Sequence, residues 1–329
     1  MQTVIMAGLE VSRLCFGTLT MGPLQKSISI DEGAELICYA YSKGINFFDT
    51  AELYGTYPYL KEAIKRIGKG GRPIISTKSY AYDTEGARRS VEKARQEMDI
   101  DVIDIFMMHE QETRLTLEGH REALEYYLEQ KSKGIIKAVG VSTHAIEVVK
   151  ACAIMPEIDV IHPIVNIAGL GIIDGSEGSN AESISEQMIN AISLANNAGK
   201  GVFAMKPLGG GNLAKSYSEC MQFVLSNENI HSIAMGMQSQ DEVDMNITIF
   251  NGEGVSDLLR EKCSKDDKYL NVADWCQRCG MCVEACQFGA LSLGNHRSNS
   301  SSRVVVNKKK CVTCGYCSRK CPLFALKIY

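Results

Sequence analysis

Residues 44–55 read GINFFDTAELYG, and the fold turns on how that stretch is understood. Ile45, Phe47 and Phe48 make a short, dense apolar run of the kind needed by a strand covered on both faces, as in a parallel sheet. Asp49 falls where such a strand should end, and Tyr54 follows in a polar loop closed by Gly55. Taken alone, the stretch leaves two readings open. Asp49 caps the next helix and Tyr54 is a half-buried surface phenol, or the two form the edge of an active site.

Outward from this stretch the same rhythm repeats. Strand-like runs fall at 13–18, 46–50, 74–77, 102–108, 136–142, 160–166, 201–205 and 232–236, and helical patterns at 31–43, 57–68, 84–98, 118–133, 145–153, 182–199, 213–226 and 239–250. Strands that alternate with helices imply parallel pairing through helical crossovers, and eight such units close a (β/α)8 TIM barrel. An open doubly wound sheet is the competitor, and the absence of a GxGxxG turn after the first strand counts against it. Residues 252–270 read as a closing helix and linker, and from Trp275 the composition shifts to cysteine and glycine. The expected division is a barrel over 1–265 and a small α+β iron–sulfur domain over 266–329.

The 329 residues suit a barrel of roughly 250 residues with an appended module. A net charge of -4 offers no strong attraction for nucleic acid or an anionic membrane. The N-terminus lacks a basic stretch followed by an apolar one, and no run approaches the length of a membrane span. These features point to small-molecule chemistry in the cytoplasm and leave the oligomeric state open. Of 13 cysteines, Cys15, Cys38, Cys152, Cys220 and Cys263 are scattered and read as small apolar residues in a reducing compartment. The others are spaced regularly: Cys276, Cys279, Cys282 and Cys286 form C-x2-C-x2-C-x3-C, and Cys311, Cys314, Cys317 and Cys321 repeat it. Zinc sites seldom use that spacing twice.

In a TIM barrel the C-terminal strand ends converge on one face. Asp49 and Tyr54 follow the second strand, Lys78 the third and His109 the fourth. Reducing a carbonyl by hydride transfer builds negative charge on oxygen, which calls for a proton donor. Tyr54 can donate, Lys78 is expected to lower its pKa, Asp49 to hold the lysine, and His109 to orient the substrate oxygen. Singly, Lys78 could be a surface charge and His109 a satisfied polar residue.

With these four residues in place, the sequence over residues 10–250 resembles the aldo-keto reductase family, whose GxNFFDTAxxYG motif contains Asp49 and Tyr54. The resemblance implies a TIM barrel, an Asp49, Tyr54, Lys78, His109 catalytic tetrad, a small carbonyl or alcohol substrate, and NADP or NAD. It also implies that Ser142 of GVSTH and Asn166 hold the nicotinamide carboxamide, with Ile167 in place of a family glutamine. Met205 takes the place of a stacking aromatic. The turn Lys206, Pro207, Leu208, Gly209, Gly210, Gly211 offers amides and a cation to a pyrophosphate, and Gly236, Gln238, Glu242 and Asn246 stand at the ribose and adenine positions. Glu242 replaces an arginine that often binds a 2′-phosphate.

The cysteine runs resemble bacterial two-cluster ferredoxins. That likeness implies one [4Fe–4S] cluster on Cys276, Cys279, Cys282 and Cys321 and another on Cys286, Cys311, Cys314 and Cys317, with Gln287 in place of the usual proline. Two functions follow. One is an NAD(P)H-dependent oxidoreductase coupled to a ferredoxin-type electron-transfer module, which exchanges electrons with a redox partner or the active site. The other is an iron–sulfur electron-transfer protein whose barrel holds a flavin or docks a partner and does not reduce carbonyls. The module replaces the C-terminal tail of the family and is expected to roof the barrel mouth.

Overall fold

The computed structural model of the protein describes residues 1–68, 71–174, 183–264, 268–294 and 303–328. The expected domain boundary at 265–266 and the expected helix start at 182 lie outside them. A hairpin of β1 (Thr3–Met6) and β2 (Leu9–Ser12) leads into eight parallel strands, β3 (Leu14–Gly17), β4 (Phe47–Asp49), β5 (Ile74–Ser79), β6 (Ile103–Gln111), β7 (Ile136–Thr143), β8 (Val160–Pro163), β9 (Gly201–Met205) and β10 (Ser232–Gly236). They pair in chain order, and β10 returns to β3 to close the barrel. The helices between them are α1 (Ile30–Ser42), α2 (Tyr57–Ile67), α3 (Thr84–Met98), α4 (Arg114–Gly119), α5 (Arg121–Ser132), α6 (Ile146–Ala153), α7 (Ile184–Asn197), α8 (Tyr217–Leu225) and α9 (Gln240–Phe250), followed by α10 (Asp257–Ser264).

Strand alternation sorts the core into two layers. Cys15, Phe47, Ile105, Met107, Ala138, Val160, Phe203 and Ala234 form the cluster inside the barrel, while their neighbours Phe16, Phe48, Phe106, Val139, Ile161 and Ala204 belong to the shell under the helices. The hairpin, which the sequence did not reveal, stops the N-terminal end of the barrel. Met6 and Val11 join the interior cluster, and Met6 lies 2.6 Å from where a Cβ on Gly201 would stand. The single helix expected over 118–133 is instead two, broken at Gly119 and His120. There the Thr116 carbonyl accepts both the His120 amide, at 3.0 Å, and the His120 ring, at 2.7 Å.

The C-terminal module pairs β11 (Leu270–Val272) with β14 (Leu326–Ile328) and β12 (Leu291–Leu293) with β13 (Val304–Val306), with a short α11 (Met281–Glu284) after its first cysteines. Left-handed residues recur at matching places in its halves: Arg278 and Thr313 (φ 58° and 48°), Gly280 and Gly315 (84° and 76°), Gly289 and Phe324 (54° and 48°). Among the described residues, no helix is long and apolar enough to cross a membrane.

Candidate active site

The parity that fills the lower barrel continues up each strand. Asp49 follows Phe47, Lys78 follows Ser76, His109 follows Met107, His162 follows Val160 and Met205 follows Phe203, so all five reach the inner face at the C-terminal strand ends. Asp49 and Lys78 are both buried. The Lys78 ammonium donates to both Asp49 carboxylate oxygens, at 2.8 and 2.7 Å, and to the Thr50 carbonyl at 2.8 Å. Those three acceptors match the three N–H donors of an ammonium. The Ser76 hydroxyl adds a bond to Asp49 at 3.1 Å.

The loop after β4 is held by hydroxyls. Thr56 meets Thr50 at 2.7 Å and Thr18 at 2.8 Å, and Thr18 donates to the Asp49 carbonyl. Tyr54 closes a tight turn there, its amide bonded to the Ala51 carbonyl, and its ring lies over the Lys78 ammonium, 4.9 Å from the centroid. Burial raises its phenol well above the ordinary value, and Asp49 raises it further. The expected lowering by Lys78 does not occur, because the lysine charge is spent on Asp49 and Thr50 and faces the ring. Tyr54 is therefore a protonated acid at neutral pH.

His109 packs edge-on to Tyr54 (5.8 Å between centroids) and stacks on Tyr80 at 4.3 Å. Burial, with Lys78 and Lys206 nearby, drives its pKa well down, so the ring is neutral, and its Nδ1 is buried without a hydrogen-bond partner. His162 gives its Nδ1 proton to the Phe203 carbonyl at 2.6 Å and sits 3.8 Å from Asp49. Burial lowers its pKa to about 4, against the pull of Asp49.

A cavity of about 360 Å³ opens above this group. Asp49, Tyr54, His162, Met205, Lys206, Pro207, Leu208, Gly210, Gly211, Gly236, Gln238 and Glu242 line it, and Lys327 and Ile328 of the C-terminal module complete its wall. A second cavity of about 420 Å³, lined by Asn246 and Tyr217 among others, adjoins it. The two share Leu208, Ala214, Met235, Gly236, Glu242 and Lys268. Such a run of space suits a ligand of dinucleotide length.

The cysteines gather around two voids. Cys276, Cys279, Cys282 and Cys321 line one, and Cys286, Cys311, Cys314 and Cys317 line the other. Among the described residues no three Cys, His, Asp or Glu side chains converge as a single metal ion requires, so the thiols ring a space rather than a point. The Ala290 and Ala325 amides donate to Cys286 and Cys321 sulfur, each at 3.3 Å, bonds that favour a thiolate. The module is fastened to the barrel mouth through the loop after β9. Ile328 donates to the Gly210 carbonyl at 3.0 Å, Asn212 donates to the Leu326 carbonyl at 3.2 Å, and the Ser318 hydroxyl donates to Asn212 at 2.7 Å.

The profile of the aldo/keto reductase family matches residues 13–229. The chain belongs to the aldo/keto reductase family. Residues 275–325 match the 4Fe-4S dicluster domain. L-galactose dehydrogenase of Arabidopsis thaliana is 24% identical over 276 residues, 73% of this chain and 84% of that protein. The aldo-keto reductase YhdN of Bacillus subtilis is 29% identical over 175 residues, 49% of this chain and 52% of that protein. The chain thus spans most of the first relative and about half of the second. Among solved structures, an aldo-keto reductase of Pseudomonas aeruginosa aligns with TM-score 0.63 and 20% identity over 76% of this chain and 94% of that one. The holo form of an aldo-keto reductase from Bacillus halodurans aligns with TM-score 0.61 and 18% identity, over 80% and 96%. At those identities the structures speak to fold alone. The protein is an oxidoreductase of a family that acts on small-molecule carbonyl compounds with nicotinamide cofactors, and it carries an iron–sulfur domain.

Within this aldo/keto reductase, the residues singled out from the sequence sort by geometry. Lys78 and His109 lie beneath the cavity wall, in contact with Asp49 and Tyr54. Ser142 and Asn166 do not line the cavity. The Ser142 hydroxyl accepts the Glu110 amide at 2.8 Å, and Asn166 uses both ends of its amide on Leu170. Gly209 is turned toward Leu170 and Leu213, and Asn246 is bonded to Tyr217 and the Glu242 carbonyl. Gly209, Gly210 and Gly211 all take left-handed φ (55°, 63° and 83°). Among the described residues, the Gly210 and Gly211 amides have no acceptor. Two features escaped the sequence reading. His162 was detectable, since it lies on the same parity as Val160. The cluster of Lys206, Glu110, His144 and Lys327 was not, because Lys327 reaches it only through the docking of the module.

Proposed function

We propose that this protein interconverts small carbonyl compounds and alcohols with a nicotinamide cofactor, Tyr54 giving and taking the proton, while its C-terminal module holds two [4Fe–4S] clusters for one-electron exchange. One observation carries the first part: a protonated phenol, a saturated Asp49–Lys78 pair and a neutral imidazole meet at one cavity on the barrel face where this fold places its sites. When bound, the nicotinamide supplies the hydride. A carbonyl oxygen at the Tyr54 hydroxyl receives its proton, and the Lys78 ammonium, held by Asp49, packs against the face of the ring and fixes its position. Asp49 keeps that lysine in place, and the neutral His109 ring fixes the edge of the phenol.

The residues present fit such a cofactor. Met205 offers an apolar surface at the end of β9, the Gly210 and Gly211 amides and Lys268 suit its phosphates, and Glu242 stands at the seam of the two cavities. A carboxylate there disfavours an added 2′-phosphate, which supports NADH over NADPH. Cys276, Cys279, Cys282 and Cys321 would hold one cluster and Cys286, Cys311, Cys314 and Cys317 the other. The second reading, an electron-transfer protein with a flavin in the barrel, draws on Ser142 and Asn166 being engaged elsewhere and on Met205 in place of an aromatic.

The test is Tyr54→Phe in anaerobically purified protein. Loss of a positioned acid lowers carbonyl reduction by roughly 10²- to 10⁴-fold, with NADH affinity measured in parallel by fluorescence titration. Reduction at the parent rate sinks the assignment. EPR on the same sample, before and after NADH, reads the clusters.

A further inference from the structure

The cavity above Tyr54 has a charge imbalance that hydride transfer does not require. Lys206, at the end of β9 in a left-handed conformation (φ 57°), sends its ammonium 2.7 Å to His144 Nε2, with Glu110 at 4.0 Å. Lys327, from β14 of the cluster-bearing module, enters the same wall, its ammonium 4.7 Å from the centre of the Trp275 ring and 5.7 Å from that of Phe324. Among the described residues Glu110 is the one carboxylate against this pair, and the Tyr80 hydroxyl already binds it. Burial holds His144 and His109 neutral, and Asp49 is matched by Lys78. Two ammoniums, Lys327 buried and Lys206 half-buried, therefore face one carboxylate, a deficit of one negative charge.

The position of the pair sets it on the Tyr54 side, apart from Lys268 at the seam of the two cavities. Lys206 and Lys327 line the cavity that contains Asp49 and Tyr54 and are absent from the adjoining one, whereas Leu208, Gly236, Glu242 and Lys268 line both. The partners of Lys206 come from the end of β6 and the residue after β7: Glu110 is next to His109 in the chain, and Tyr80, which stacks on His109, binds Glu110. The surplus charge therefore lies on the Tyr54 and His109 side, where a carbonyl substrate stands.

We propose that Lys206 and Lys327 recognise a carboxylate on the carbonyl substrate, so that the enzyme selects oxo acids over neutral aldehydes and ketones, with the cluster-bearing module supplying half of the recognition site. This rests on the carbonyl-reducing function above. An anionic group bonded to both ammoniums restores neutrality without moving Glu110, and charge-assisted hydrogen bonds of this kind are about twice as strong as neutral ones. The module is then more than a redox appendage, because its last strand is part of the substrate pocket.

The experiment uses anaerobically purified holoprotein and three acids: glyoxylate, succinic semialdehyde and para-carboxybenzaldehyde, each paired with the primary amide of the same skeleton. For at least one pair the acid is expected to exceed the amide in kcat/KM by tenfold or more. Lys206→Met and Lys327→Met should each reduce that ratio by roughly 10- to 100-fold, mainly through KM, the size expected for a hydrogen bond to a charged group, with Lys327→Arg restoring most of it. A parent ratio at or below one for every pair overturns the proposal, as does a ratio that neither Met variant changes. If Lys206→Met weakens NADH binding and leaves the ratio intact, the lysine serves the cofactor and the proposal is wrong. If no carbonyl compound is turned over, the proposed function has failed, and calorimetric titration with succinate and terephthalate against their diamides still decides the matter. Carboxylate binding lost in both Met variants supports the pair, and no binding to the parent overturns it.

Discussion

The Lys78 ammonium lies under the face of the Tyr54 ring, 4.9 Å from its centroid, and gives all of its hydrogen bonds to Asp49 and Thr50. The lysine therefore acts on the phenol through space and is itself held by a buried carboxylate. Removing the cation leaves Asp49 buried and uncompensated, which typically destabilises by about 3–5 kcal/mol. Lys78→Met is expected to show a loss of that order in urea unfolding. The double variant Lys78→Met with Asp49→Asn should recover most of it, since the orphaned charge is then gone. Equal stability of single and double variants would mean that the pair is not the buried unit seen here.

The phenol of Tyr54 titrates above its ordinary value through burial and the Asp49 charge. The sign follows directly: the protonated donor is present below the raised pKa and lost above it, so the acid remains available from neutral pH to beyond pH 10. Difference absorbance of the parent against Tyr54→Phe should show no phenolate assignable to Tyr54 up to pH 10. A phenolate appearing between pH 7 and 9 would restore the expectation that Lys78 lowers this pKa.

Lys206 behaves in the opposite direction. Burial, then Lys327, bring it to about 7, with Glu110 opposing and Lys78 adding to the fall. Lys327, Glu110, Lys78 and the neutral His144 and His109 are the titratable groups that face it. Its charged form exists below about pH 7 and is lost above, so an oxo acid should bind best on the acid side. Its KM should rise about tenfold per pH unit above pH 7 until the higher pKa of the complex is reached. The matching amide should show no such rise. In Lys327→Met the break should move to higher pH, because a neighbouring positive charge has been removed. A parent KM for the acid that is flat from pH 6 to 9 contradicts this assignment.

What could be read in the chain followed from local rules. Phe47, Phe48 and Asp49 carry their own strand parity, so both the barrel and the inward position of Asp49 and Lys78 were legible. The cysteine spacing likewise announces the iron–sulfur module without reference to the rest of the fold. The state of Tyr54 was not legible, because it depends on where the Lys78 donors end up, and two of their acceptors are on Asp49 and the third on a backbone carbonyl. Ser142 and Asn166 could be placed at strand ends but not assigned partners, since Glu110 and Leu170 claim them through loop geometry. Lys206 illustrates the limit best: its glycine-rich neighbours suggested a phosphate, whereas its contacts are His144, Glu110 and a module whose family match begins about 70 residues later.

The docking of that module supports a last prediction. Phe324 occupies a left-handed position (φ 48°) where the other half of the module has Gly289, a conformation disfavoured for a bulky side chain. In return its ring meets Gly171, lies 5.6 Å from the Lys206 ammonium and packs edge-on to His144. On the barrel side, Gly211 has φ 83°, and an added Cβ would lie 2.1 Å from the Ile328 carbonyl oxygen. Gly211→Ala is therefore strained in its backbone and clashes with β14, and the cheapest relief is to release that strand. Hydrogen exchange should rise across 324–328 while the interior strands around Phe47 and Phe203 stay protected. The KM for an oxo acid should rise together with that exchange, because Lys327 moves with the strand. Cys321→Ser, at the residue of this segment proposed as a cluster ligand, should reproduce both effects and also lower the iron content. If oxo-acid KM is unchanged while exchange over 324–328 increases, the module is docked to the barrel without contributing to the pocket.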